Sequence, residues 1–397
     1  MIYNFFTALP VFVLLSWLIL FFIDKRKNTA KRFLTLFLSV ALVNYIAHYF
    51  YFNHHYAVYR VLDSVWVFTS LAVYPLFYYY IRLLTKDLKA DLTWSWILLP
   101  AMILALFSTL IYLLMSPEEI ETFTHEVLYN NRKQGESYSL LVDMQVIRVH
   151  LFKLFFATEV LLTIYFGLRL IREFNAKVRA YYSNIRTREL SNIQLLLLFT
   201  VITSIISMVS NLMGKDYFVT YPYLIAIPSI AHSLALFGIG YVGYRQQFTI
   251  RDLTNDLSAG ENIAIAGENE MMSAREYDLL FDKLEKLLEK KQIYRNPELR
   301  LSDVALQLGS NRTYVSRLIH SRCKTNFCDY VNEYRIRHAE RMLTSKENAQ
   351  LSLDVVATQS GFASNSTFYR VFEKKNGMSP GKFRQVHLRL GSLNGSP

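Results

Sequence analysis

The chain has 397 residues, a formal net charge of +11 at pH 7 and a hydrophobic fraction of 52%. That length suffices for two or three domains. With only two cysteines, Cys323 and Cys328, it excludes a disulfide framework and suits a reducing compartment for the part that holds them. The apolar residues come in long runs before Arg245 and at amphipathic spacing after it. The expected fold class is therefore all-α: a polytopic bundle of seven transmembrane helices, then a cytoplasmic helical domain.

Seven apolar runs of spanning length lie at about 5–23, 33–52, 61–83, 94–115, 151–171, 193–213 and 221–244. The first lacks a basic leader and a small-residue cleavage site, so it reads as a span and not as a signal peptide. Basic residues favour the odd loops: Lys25, Arg26, Lys27, Lys31 and Arg32 in the first; Arg82, Lys86 and Lys89 in the third; Arg169, Arg172, Lys177, Arg179, Arg186 and Arg188 in the fifth. By the positive-inside rule these loops are cytoplasmic, the N-terminus is outside and the C-terminus inside. The expected location is the bacterial cytoplasmic membrane.

The fourth loop, about 116–150, is the long external segment. Its acidic start, Pro117-Glu118-Glu119-Ile120-Glu121, can form a short helix over the outer mouth of the bundle, as a lid or as a solvated tether. Asn44, His48, Asp63, Glu159, Asn211 and His232 are polar residues within the runs, where each is costly. Asp63, Glu159, His48 and His232 are the candidate signal site, with the histidines as partners for the carboxylates. Interhelical hydrogen bonding is the alternative. Gly238-Ile239-Gly240-Tyr241-Val242-Gly243 spells a dinucleotide-binding fingerprint, but it ends an apolar run and has no βαβ context. Close packing of helices through small residues is the better reading.

Residues 1–245 form the membrane sensor or anchor module on this reading. Residues 246–273 are polar and glycine-containing and read as a flexible linker. Residues 274–292 read as an amphipathic helix, with Tyr277, Leu280, Leu284, Leu287 and Leu288 on one face.

Residues 293–390 carry two similar units. In the first, about 301–320, Ser302 and Asn311 are the expected helix N-caps and Gly309 the turn. Val304, Ala305, Leu308, Val315, Leu318 and Ile319 form the packing face. In the second, about 352–374, Ser352 and Ser364 are the caps and Gly361 the turn. There Val355, Val356, Ala357, Phe368, Val371 and Phe372 pack. Two helices joined by a tight turn, the second with polar residues outward, are the parts of a helix-turn-helix. A periodic helix over 329–343 joins the units and can hold two recognition helices for successive major grooves.

The expected DNA contacts are Arg312, Thr313, Ser316 and Arg317 in the first unit and Asn365, Ser366, Tyr369 and Arg370 in the second. Arg317 and Arg370 suit guanine and Asn365 suits adenine, because each can make two bonds to one base edge. Lys374, Lys375, Lys382 and Arg384 suit phosphates. From Lys291 onward bases outnumber acids about two to one, as a DNA footprint requires. The Cys323-x4-Cys328 spacing gives at most half a zinc site, with no further Cys or near His pair to complete it. No metal or cofactor is expected.

The second unit, with Gly361-Phe362, Ser364, Phe368, Arg370, Phe372, Gly377, Ser379-Pro380 and Arg384, resembles the AraC/XylS family of bacterial transcription regulators. The resemblance covers about 293–389. The first unit departs from the pattern at Lys324, where the family usually has glycine, and at Ile319, where it usually has phenylalanine. The resemblance implies a seven-helix domain, promoter binding and activation through RNA polymerase. The membrane module looks like the less common membrane-embedded variety of that family.

The reading is a membrane-anchored DNA-binding regulator, not an enzyme. Its expected partners are double-stranded DNA, membrane lipid, RNA polymerase, a small-molecule or peptide signal and a second copy as a homodimer. A transporter or channel with a regulatory DNA-binding-like tail is the alternative. An intramembrane enzyme would need clustered nucleophiles, bases or metal ligands, which the sequence does not offer.

Overall fold

The computed structural model describes residues 2–24, 29–86, 92–129, 138–185, 188–213, 217–218, 221–246, 249–263 and 274–393. Among them every regular element is a helix, and an isolated antiparallel bridge joins Tyr182 to Arg300. They divide into two compact units. One is Met1–Arg172 with Leu190–Ile250, and the other is Glu173–Glu189 with Arg251–Pro397.

The first unit is built from α1 (Ile2–Ile23), α2 (Thr29–Phe52), α3 (Tyr56–Thr85), α4 (Leu99–Leu114), the short α5 (Pro117–Thr122), α6 (Leu140–Tyr181) as far as Arg172, α7 (Ser191–Met213) and α8 (Ala226–Arg245); the end of α6 from Glu173 belongs to the second unit. Six helices among the described residues are long and apolar enough to cross a membrane. The sixth predicted run falls on α7, whose described apolar stretch is Thr200–Ser210. The fifth run is the middle of a 42-residue helix. Hydropathy misses both ends of α6 because Arg148, Arg172 and Arg179 raise their polarity, while no proline or glycine stops the backbone there. Lys25, Arg26, Lys27, Lys89 and Arg186, part of the orienting charge, lie outside the described residues.

Helix α1 packs on α2 and α8, α2 on α3, α3 on α4, and α7 on α8. The glycines of the apparent fingerprint serve this packing. A side chain at Gly240 would meet the Trp17 ring, and one at Gly243 would meet Leu34. At the start of the fourth loop Ser116 caps α5. Its hydroxyl accepts from Glu119 N and the Glu119 carboxylate accepts from Ser116 N at 2.8 Å. Before the undescribed residues 130–137 of that loop, Tyr129 stacks on Tyr51 at 4.3 Å.

The second unit contains α9 (Ile250–Ile263), α10 (Ala274–Glu289), α11 (Leu301–Leu308), α12 (Arg312–Cys323), α13 (Phe327–Thr344), α14 (Leu353–Gln359), α15 (Asn365–Asn376) and α16 (Pro380–Leu393). Helix α9 corrects the expected tether: within 246–273, residues 250–263 are helical. Leu253 is buried and Leu257 follows at i+4, an apolar stripe that a count of polar residues conceals. Residues 264–273 lie outside the described set.

The 18-residue α13 runs through the unit and is about 27 Å long. Its first half carries buried Phe327, Cys328, Val331 and Tyr334. Its second half gives Ile336, Ala339, Met342 and Leu343 to a core with Val356, Ala357, Phe362, Phe368 and Phe372.

Candidate nucleic-acid interface

Each pair of short helices is fixed by a cap, a turn and an apolar face. Asn311 accepts from Tyr314 N at 2.9 Å, Ser352 from Val355 N at 3.2 Å and Ser364 from Thr367 N at 3.4 Å. Such caps contribute about 1 kcal/mol each. The expected cap at Ser302 is not formed. Helix α11 starts earlier, and the Asp303 carboxylate accepts from Arg300 N at 2.9 Å. Asp303 competes successfully because a carboxylate three residues on can reach back to that N–H.

Gly309 and Gly361 turn the chain with φ of 61° and 88°. Lys324 holds the same left-handed conformation, φ 54°, at the end of α12. The turn after the first recognition helix thus keeps its shape without glycine. Val304, Ala305, Leu308, Val315, Leu318 and Ile319 are buried, as are Val356, Ala357, Phe368 and Phe372. Val355 is not: at 37% exposed it belongs to the surface, one position off the α14 stripe.

Helices α12 and α15 present their polar residues at matched positions. Arg312, Thr313, Ser316 and Arg317 correspond in helical order to Asn365, Ser366, Tyr369 and Arg370. Thr313 and Arg317 are exposed, as are Ser366, Tyr369 and Arg370. Ser316 is half-buried. Asn365 is exposed, and its amide donates to Asp354 at 2.5 Å. Tyr369 packs edge-on against Phe368, which steadies its ring at the surface. Arg312 departs from expectation: it is half-buried and its guanidinium donates to the Leu257 carbonyl of α9.

The expected phosphate contacts also separate. Lys374 and Lys382 are exposed. Lys375 is tied to both carboxylate oxygens of Glu333 at 2.9 Å. Arg384 is corrected from surface cation to half-buried support. Its Nη1 lies 3.5 Å from the Ala349 carbonyl, and its Nε and Nη2 are buried without a hydrogen-bond partner. Its neighbour Phe383 packs on Phe372.

Arg335 was not singled out by sequence. It is 1% exposed, donating to Tyr294 O at 2.9 Å, Asn296 O at 2.8 Å and Ser183 Oγ at 3.0 Å. Burial pulls its guanidinium down to about 10, still protonated at neutral pH. Nothing local marks it, since it sits among other basic residues on α13. Cys323 and Cys328 are free, and burial pushes the Cys328 thiol up to about 12. The described residues contain no cluster of three or more potential metal ligands.

The four candidate signal residues of the first unit do not meet as a set. Asp63 pairs with Arg148 at 2.7 Å and accepts from Tyr59 at 3.1 Å and Tyr112 at 2.9 Å. Its partner is thus an arginine and not a histidine. Arg148 falls within the span 116–150 expected as the fourth loop, and the long α6 makes it a buried helix residue. Glu159 has both carboxylate oxygens buried without a hydrogen bond. His48 accepts from Trp66 at 3.0 Å, and His232 bonds Ser207 at 2.8 Å. The two histidines do share a place: both line a cavity of about 210 Å³ with Asn44, Ser70, Tyr74 and Ser229.

The helix-turn-helix domain family matches residues 304–386, from within α11 through the second helix pair. A probable transcription factor of Proteus vulgaris, PqrA, is 28% identical over 94 residues, 24% of this chain and 75% of that protein. The melibiose operon regulatory protein of Escherichia coli is 30% identical over 88 residues, 22% of this chain and 28% of that protein. A transcriptional activator of a Rhodococcus species, NphR, is 30% identical over 102 residues, 26% of this chain and 29% of that protein. The chain thus spans less than a third of the length of the latter two. All three similarities are of the size of one domain. With its tandem capped helix pairs, the C-terminal part of the chain is an AraC-type helix-turn-helix domain.

Proposed function

We propose that the protein is a membrane-anchored transcription regulator that couples a signal at the bilayer to promoter binding. The observation that carries the DNA half is the matched pair of recognition helices. Arg317 and Arg370 occupy the same exposed position on helices of the same construction. In this reading Arg317 and Arg370 read guanine edges, Thr313, Ser316, Ser366 and Tyr369 contact bases or phosphates, and Lys374 and Lys382 hold the backbone. Asn365 reads adenine after exchanging Asp354 for the base. RNA polymerase and a second copy of the chain are the partners that fit promoter activation.

The membrane half is supported by the six long apolar helices among the described residues and by the shorter apolar stretch of α7 as a seventh crossing; with the loop charges, an odd number of crossings favours a cytoplasmic C-terminal domain. The cavity beside His48 and His232 supports a small-molecule signal. Among the described residues no Lys, Arg, Asp or Glu lines it, which favours an uncharged molecule with hydrogen-bonding groups on an apolar body.

Genome-wide DNA occupancy of the full chain tests the reading. Arg317→Ala and Arg370→Ala should each lose discrimination of about 1–3 kcal/mol at one half-site. Occupancy unchanged in both variants refutes the base-reading assignment. A reporter fused after Arg245 should be active only in the format that works in the cytoplasm.

A further inference from the structure

Helix α9 lies against the first helix-turn-helix, and its contacts single out two arginines. The Arg312 guanidinium, at the first position of recognition helix α12, donates to the Leu257 carbonyl. One residue earlier, the Asp256 carboxylate pairs with Arg300 at 3.1 Å. Arg300 directly precedes α11, the first helix of the unit. The start of a recognition helix is the part that meets the groove, and arginines beside it contact phosphates. Carboxylate and carbonyl oxygens of α9 therefore occupy cations that duplex DNA would use.

The plug is held from behind. Tyr182 donates to the second Asp256 oxygen at 2.5 Å. The Tyr181 hydroxyl lies 2.9 Å from the Asp256 carbonyl and 3.0 Å from Ser302 Oγ. The segment carrying these tyrosines is anchored in turn. Ser183 N donates to Leu299 O at 3.2 Å, and Arg335 donates to Ser183 Oγ. Asn184 and Arg188 donate to Glu298 at 2.7 and 3.0 Å. Burial opposes ionisation of Glu298, yet these two donors hold its carboxyl below the usual range. Tyr181 is the last residue of α6.

We propose that Arg300 and Arg312 form a DNA phosphate-binding site and that α9 masks it, with Asp256 and Leu257 standing in for phosphate oxygens. The protein described here is then the closed form of the first reading unit. Full binding requires α9 to leave, and Tyr181 and Tyr182, at the end of α6, set how firmly it stays. This rests on the DNA-binding reading and adds a regulated site to it. Arg300 had no role there, and Arg312 contributes only after release.

The test uses the full chain in lipid nanodiscs and a fluorescein-labelled random-sequence duplex of about 40 base pairs, followed by anisotropy at several salt concentrations. Asp256→Lys places a cation beside Arg300 and expels α9. Affinity should rise at least fivefold, within the roughly 5–150-fold range of ordinary coupling between sites. The salt slope should steepen by about one to two units as two phosphate contacts are gained. Asp282→Lys, on the exposed face of α10, adds the same charge away from the two arginines and should give the smaller rise of general attraction. Tyr182→Phe changes no charge and should also raise affinity. Arg312→Ala should matter little in the native chain and strongly in the Asp256→Lys chain.

If Asp256→Lys gains no more than Asp282→Lys, or Arg312→Ala costs the same in both backgrounds, the mask does not exist although DNA binding stands. If no version holds the duplex at low salt, the DNA-binding reading fails and the mask falls with it.

Discussion

Gly309 and Gly361 occupy the same turn in the two helix pairs and share a left-handed backbone, yet their replacement by alanine should differ severalfold in cost. At Gly309 an added Cβ meets nothing within 4 Å. Only the backbone penalty remains, about 1 kcal/mol. At Gly361 the added carbon runs into the Tyr294 carbonyl and the Arg295 backbone. Those atoms cannot swing away, because Arg335 holds the Tyr294 carbonyl at 2.9 Å. Overpacking of that kind costs about 1–3 kcal/mol beyond the backbone term. Gly361→Ala should therefore cost about 2–4 kcal/mol against about 1 for Gly309→Ala.

Cys328 offers the assay, since it is 2% exposed inside this unit. In a Cys323→Ser background, the fraction of Cys328 protected from a thiol reagent can be followed against urea. With a slope of about 2 kcal/mol per molar, Gly361→Ala should lower the midpoint by about 1–2 M and Gly309→Ala by about 0.5 M. Equal midpoints for the two variants would show that the close approach of Gly361 to residues 294–295 is not maintained in solution.

Lys324→Gly should raise the same midpoint, by up to about 1 kcal/mol in stability, because lysine pays a steric penalty at φ 54° that glycine avoids. His338 is pulled down to about 4 by burial and by Arg341 and Arg295. The unfolded chain binds the proton more readily, so stability is complete above about pH 6.5 and falls as pH drops towards 4. The loss is about 1–2 kcal/mol after discounting for partial exposure, and His338→Gln should remove it from the urea midpoint at pH 5. In the first unit, Arg148→Met strands the Asp63 carboxylate and should cost about 3–5 kcal/mol, read as a lower melting temperature in detergent. Asp63→Asn with Arg148→Met should recover part of that loss, and no recovery would mean that the two side chains act separately.

Much of the reading unit is legible residue by residue. Ser352, Ser364 and Asn311 announce helix starts because a short polar side chain before an apolar stripe can accept from the free N–H groups of the first turn, a place that Asp303 takes from Ser302 in α11. Gly309 and Gly361 announce turns because few other residues tolerate positive φ. The apolar runs announce long helices because an apolar stretch of about 20 residues is too long for a strand and satisfies its own backbone as a helix. These signals act within a few residues, so the chain itself determined them.

What tertiary structure decided concerns pairs far apart in sequence. Asp63 and Arg148 stand 85 positions apart, and Arg335 and Ser183 stand 152 apart. Sequence assigned Arg148 to a loop and Arg312 to an open surface, since periodicity gives the direction of a side chain along its own helix but not what lies there. Helix α9 met Arg312 only once the chain had folded back on itself. Local backbone preference is written in neighbouring residues, whereas the partner of a buried charge is chosen by which helices come to lie side by side.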